Sequence, residues 1–146
     1  MWKFEHSVEC RVNRDSAWKF WTNVNNWPVV DPSVESVKLN GSFVAGTQGT
    51  TKPRDHDTVE WRLTEVEPPR RAHIEIPAPG ATLICAWMFE DAPNGGTQIT
   101  QQSRLEGEQA EHYAGTVGPE LEAGIPQAMR RLAEAMDRVA GEKMCD

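Results

Sequence analysis

A chain of 146 residues, 38% hydrophobic and 25% charged, is long enough to bury a sizeable core and too apolar to remain disordered. Its formal net charge is −7, and its basic residues come closest together only at Arg70-Arg71 and Arg130-Arg131, so the basic patch that nucleic acid or an anionic membrane requires is excluded. No apolar run approaches the roughly 20 residues of a membrane span, and the alternating Met1–His6 is no signal-peptide core, which points to a cytoplasmic protein without membrane insertion.

Trp2, Phe4, His6, Val8, Cys10 and Val12 alternate with Lys3, Glu5, Ser7, Glu9 and Arg11, the period of a half-buried strand. Asn13 or Asp15 is placed to cap a helix in which Ala17, Phe20, Trp21 and Val24 recur at i, i+3, i+4 and i+7. Pro28 biases Trp27 away from that helix, and a second short helical turn is expected around Trp27–Asp31. Strands follow. Val34–Leu39 ends at the turn signal Asn40-Gly41, Gly46–Thr51 is polar and rich in threonine, and Thr58–Val66 turns Val59, Trp61 and Leu63 inward before Pro68-Pro69. Arg71–Ile76 leads into the turn Pro77–Gly80. Ala81–Glu90 sets Leu83, Cys85, Trp87 and Phe89 on one face and Ile84, Ala86 and Met88 on the other, so a strand covered on both sides is expected. After the loop Asp91–Gly96, Thr97–Leu105 closes the sheet.

The period then changes. From about Glu108 to Ala140, the residues Tyr113, Val117, Leu121, Ile125, Met129, Leu132, Met136 and Val139 form one apolar helical stripe. Gly118-Pro119 and Gly124-Ile-Pro126 interrupt it, which predicts a bent or broken first half and a regular helix from about Pro126. The sum is an α+β domain over residues 1–146: a curved antiparallel sheet of about seven strands wrapped around a long C-terminal helix, with one or two short helices after the first strand. Only that last helix is long enough to cover the concave face, and imperfect closure leaves a cavity.

Several stretches carry a family likeness. They are Asp15-Ser-Ala-Trp18, Asn25-Asn-Trp-Pro28 ahead of Asp31, Val59–Pro69, the Trp87–Glu90 and Gly96-Thr97 hairpin, and the final helix with Met129-Arg-Arg-Leu132. In them the chain resembles the START-like or SRPBCC superfamily with its helix-grip fold, and within it the bacterial polyketide cyclase/dehydrase-like group. The resemblance implies the fold over nearly the whole chain. It does not imply one function, because the superfamily holds lipid carriers, plant hormone binders, cyclases and co-chaperone-like domains.

No phosphate-binding glycine loop, nucleophile elbow or HExxH motif occurs. His6 lies at an inward position of the first strand between Phe4 and Val8, and is the only candidate catalytic acid or base; packing as a satisfied core histidine is the alternative. Gln101 and Ser103 share the inward face of the last strand with Ile99 and Leu105, either as polar groups of a cavity or as partners of backbone groups. Trp21, Trp27, Trp61, Trp87 and Phe89 are candidate cavity walls, with Tyr113, Val117 and Leu121 from the helical stripe; Trp2 and Trp18 are assigned to core. His73, beside Glu75, His56 in a charged loop, and Glu120 and Glu122 read as solvated, and no cluster has metal-ligand spacing. Cys10, Cys85 and Cys145, odd in number and without CxxC spacing, read as free thiols.

These features fit the binding of a small hydrophobic ligand, such as a lipid, isoprenoid or polyketide-like compound, in an internal cavity, with no cofactor. Two alternatives stay open: a cyclase or dehydratase-type enzyme using a cavity acid/base, and a protein-interaction domain. Self-association into a homodimer is also left open.

Overall fold

The computed structural model describes residues 2–144. Burial alternates along β1 (Lys3–Cys10): Phe4, His6 and Val8 are half-buried while Lys3, Glu5, Ser7 and Glu9 are exposed. Asn13 caps α1 (Arg14–Thr22), its side-chain oxygen accepting from Ser16 N at 2.9 Å. This helix buries Ala17, Trp18 and Trp21, so Trp18 takes the inward place that the spacing gives to Phe20. A 3-10 turn at Val24–Asn26 leads into the single turn α2 (Trp27–Val30). Pro28 lies in the first turn of α2, where its missing N–H has no helical partner to lose.

The remaining strands are β2 (Val34–Leu39), β3 (Gln48–Pro53), β4 (Val59–Glu67), β5 (Arg71–Ala78), β6 (Ala81–Asp91) and β7 (Thr97–Glu106). All pairs are antiparallel, in one seven-stranded sheet of order β1-β7-β6-β5-β4-β3-β2. β3 starts later than the composition suggests. Gly46, at φ +94°, turns the chain and donates its N–H to Leu63 O at 2.7 Å, so the threonine-rich stretch enters the sheet only at Gln48. Register decides which side chains meet. His6, Gln101, Trp87 and Ala72 pair in sequence across β1, β7, β6 and β5, and Phe4, Ser103, Cys85 and Ile74 form the adjacent row. On the outer face Ile84 is flanked by Glu75 and Arg104, and Ala86 by His73 and Gln102. The stems of these long polar neighbours shield both buried residues, so no second layer is needed there.

The C-terminal stripe is split at one place. α3 (Ala110–Thr116) ends at Val117, and α4 (Gly118–Met144) runs on through Pro126. Pro119 falls in the first turn of α4, where an N–H is dispensable. Pro126 withholds the bond that the Glu122 carbonyl would accept, yet the helix continues. The regular helix therefore begins at Gly118 rather than near Pro126, because packing of Ile125, Met129, Leu132 and Met136 against the sheet outweighs one lost hydrogen bond. Two side-chain bonds hold α4 alongside β1: Trp2 Nε1 donates to Glu122 Oε1 at 3.0 Å, and Arg11 N donates to Asp137 Oδ1 at 2.7 Å. Glu122 is thus an acceptor for Trp2 as well as a surface charge. Gly118 leaves the room that the Trp2 indole occupies.

Gly49 pairs with Trp61 across β3 and β4, and the Trp61 ring lies directly over it. A Cβ on Gly49 would overlap the ring carbons Cζ2 and Cη2. Gly49→Ala is expected to lower stability by about 1–3 kcal/mol, the usual range for overpacking, read as a lower urea midpoint with unchanged slope.

Candidate ligand cavity

Between α4 and the concave face lies a cavity of about 280 Å³. Trp21, Trp27, Trp61 and Trp87 form its aromatic side, and Ile125, Ala128, Met129 and Leu132 bring the α4 side. The indoles hold one another: ring centroids are 6.1 Å apart for Trp21 and Trp27, 5.3 Å for Trp27 and Trp61, and 5.0 Å for Trp21 and Trp87. Such pairs contribute about 0.5–1.5 kcal/mol each beyond area burial. Two indole N–H groups are committed to protein, Trp27 Nε1 to Trp21 O at 2.6 Å and Trp61 Nε1 to Thr51 Oγ1 at 2.9 Å. The tryptophan side is therefore built as a unit, while the helix side consists of flexible aliphatic and thioether groups.

Polar groups are few. Gln101, 8% exposed, lines the cavity from β7, and its Nε2 donates to Ser103 Oγ at 3.2 Å. Ser103 Oγ in turn lies 3.7 Å from Cys85 Sγ. Burial raises the Cys85 thiol above its ordinary range, with hydrogen bonds from Ser103 and Gln101 offsetting part of the effect. Asp31 and Thr51 stand at the other end, near β2 and β3. Trp27, Asp31, Val34 and Ala128 are the half-buried wall residues where α2, β2 and α4 meet.

Of the side chains that the sequence marks as candidates, Trp21, Trp27, Trp61, Trp87 and Gln101 lie on the cavity wall. His6 does not. It pairs with Gln101, but its half-buried ring sits on edge strand β1, which α4 covers. Phe89, 1% exposed, packs behind the wall with its centroid 5.3 Å from both Trp18 and Trp21. Ser103 is buried beside Gln101 on the same face of β7, off the cavity wall. Tyr113 points its hydroxyl away, donating to Pro79 O at 2.9 Å in the β5–β6 turn. Val117 and Leu121 are half-buried on the stripe two turns and one turn before the cavity begins at Ile125. Wall residues that are not among those candidates include Val30, Asp31, Val37, Thr51, Ile74 and Cys85, together with the α4 residues from Ile125 to Leu132 named above. Val37 and Ile74 carry a strand-face signal, but nothing local marks Asp31. His73 Nδ1 lies 3.4 Å from Glu65 Oε2 rather than beside Glu75 alone, and His56 is exposed. Among the described residues no group of three or more His, Cys, Asp or Glu side chains is arranged to hold a metal, and no helix is long and apolar enough to cross a membrane. Cys145 lies outside the described residues.

A family model described as polyketide cyclase / dehydrase and lipid transport matches residues 1–141. The chain belongs to this family. Among curated proteins none matches its sequence. Solved structures share the fold at low identity. Norcoclaurine synthase from Thalictrum flavum, in complex with dopamine and hydroxybenzaldehyde, aligns with a TM-score of 0.73 at 14% identity, covering 97% of this chain and 87% of that one. A hypothetical protein from Helicobacter pylori aligns with a TM-score of 0.73 at 15% identity over 92% and 87% of the two chains. Ara h 8.0201 gives 0.74 at 13% identity over 92% and 97%. The helix-grip architecture expected from the sequence is thus the architecture of this polyketide cyclase/dehydrase family member, and the family's description associates it with hydrophobic ligands.

Burial gives the thiols of this family member a definite chemistry. Cys10 and Cys85 are both raised, desolvation being the largest cause, so both are protonated thiols at neutral pH. A thiol reagent at pH 7.5, applied to a Cys145→Ser variant, is expected to label neither cysteine at a measurable rate until urea unfolds the chain. The sign for stability follows. Above the ordinary thiol range the unfolded chain releases protons that the folded chain keeps, so the urea midpoint falls as pH rises through that range.

Proposed function

We propose that this domain binds a small hydrophobic molecule in the cavity between α4 and the sheet. The observation that carries the reading is the wall itself: four mutually packed tryptophans facing a flexible aliphatic helix, with the amide of Gln101 as a deep hydrogen-bonding group. Apolar walls with a few convergent polar groups are the usual build of small-molecule sites, whose volumes run from about 300 to 1,000 Å³. A cavity of about 280 Å³ stands at the small end, which favours a compact molecule of one or two rings over a long acyl chain. The family's association with lipid transport and with polyketide cyclisation agrees with an apolar cargo.

A cyclase or dehydratase would need an acid/base pair inside the cavity. His6 stands off the wall, the Cys85 thiol is held protonated, and Asp31 is the one carboxylate on the wall among the described residues, a single group rather than a pair. Among the described residues, the large apolar side chains left strongly exposed are Val29 and Val44, at 69% and 53%, on different segments. That is less than a partner's helix would require. Binding therefore remains the reading that the wall supports best.

Native mass spectrometry of the freshly purified chain, with organic extraction of any released compound, tests it directly. Ala128→Trp provides the control, since Ala128 is half-buried on the α4 side of the cavity and a larger side chain there fills the space. The variant is expected to keep its far-ultraviolet circular dichroism and to bind a neutral naphthalene probe at least tenfold more weakly. Equal affinity in the two proteins would place the ligand elsewhere.

A further inference from the structure

The distribution of charge around the cavity selects a ligand class, given the binding reading above. Asp31 is the only charged side chain on the wall, and no Lys, Arg or His joins it among the described residues. Asp31 is the C-cap of α2, its backbone N–H donating to Trp27 O at 2.9 Å, and both residues line the cavity. Its Oδ1 accepts from Ser33 N at 3.0 Å and Ser33 Oγ at 2.7 Å, and among the described residues Oδ2 has no protein donor. Neither nearby basic side chain, Arg54 or Lys52, forms an ion pair with Asp31 among the described residues. Arg54 Nε donates to Pro32 O at 2.7 Å, and Lys52 Nζ donates to Pro53 O and His56 O at 2.7 and 2.8 Å and lies 3.8 Å from Glu35. At the far end, on β7, Gln101 offers a neutral amide.

An ionised carboxylate only accepts hydrogen bonds. An anionic head group entering this cavity would lose water without meeting a counter-charge and would face a like charge at the rim. A protonated amine meets the reverse conditions. We propose that the cavity is selective for a compact aromatic amine, bound as its ammonium cation with the charge at Asp31 and the ring among the tryptophans, and that it rejects a carboxylate built on the same ring.

Three probes that share one ring separate head-group charge from apolar binding: 2-naphthylmethylamine, protonated at pH 7, 2-naphthylmethanol and 2-naphthoate, titrated into the full chain by calorimetry at 0.15 M salt. The ammonium is expected to bind at least tenfold more tightly than the alcohol, and the carboxylate most weakly. In Asp31→Asn, which keeps the acceptor for Ser33, the ammonium should lose its advantage while the alcohol keeps its affinity, showing that the cavity is intact. In Val34→Lys, which sets a cation on the same rim, the naphthoate should become the better charged ligand. If the alcohol binds but ammonium and carboxylate bind alike, or if Asp31→Asn retains the full preference and so traces it to the net charge of −7, the charge selection is overturned and the ligand-binding reading stands. If none of the three binds, the cavity reading fails and the selection fails with it.

Discussion

One helix has to cover the concave face of a seven-stranded sheet. Every other feature of the molecule follows from how α4 meets that demand. A straight rod against a curved surface makes good contact along one line and leaves space beside it. The line of contact runs along β1, where Trp2 and Arg11 tie the helix at Glu122 and Asp137. The space lies towards the middle strands. Its helical wall, Ile125 to Leu132, is held by apolar contact alone, while its opposite wall is braced by α1 and α2 through the tryptophans. The space left in this fold is a geometric remainder, and what makes it a site is the choice of side chains left facing it.

Those side chains divide by stiffness. Trp61 is pinned by Gly49 beneath it and by Thr51 at its nitrogen, and Trp27 is fixed by the Trp21 carbonyl. These contacts leave the aromatic wall little freedom to move. Met129 and Leu132 on the facing helix have rotamer alternatives that a ligand can exploit. Shape selection therefore comes from the sheet and α1–α2 side, and accommodation from α4.

The fold was largely legible because its signals are local. Alternation in β1, the run Val34–Leu39 and the stripe from Tyr113 to Val139 each report a period, and period follows directly from backbone geometry. The family-bearing stretches point the same way. The site was legible only by halves. Period identifies the inward face of a strand but not what stands above it: His6 and Gln101 are register partners on the same face, yet β1 lies under the helix and the wall begins at β7. Phe89 shares a face with Trp87 and ends up behind the wall because α1 folds over that end of β6. Asp31 gave no sign of a place on the wall, since an acidic residue after a one-turn helix looks like any loop residue until β2 and α4 close around it. The break at Val117 falls at the Gly118-Pro119 interruption that the sequence marks, whereas the run of α4 through Pro126 was decided by packing that no local rule contains.

The tryptophan cluster has an optical consequence. Trp18, Trp21, Trp27, Trp61 and Trp87 form a connected set with centroid separations from 5.0 to 6.1 Å. At such distances neighbouring indole transitions do not behave as independent chromophores, and excitation migrates among them before emission. The domain's near-ultraviolet circular dichroism and fluorescence are thus collective properties of the cavity wall, so a molecule that perturbs one ring registers through all of them, and the unmodified protein carries its own sensor of what the cavity holds.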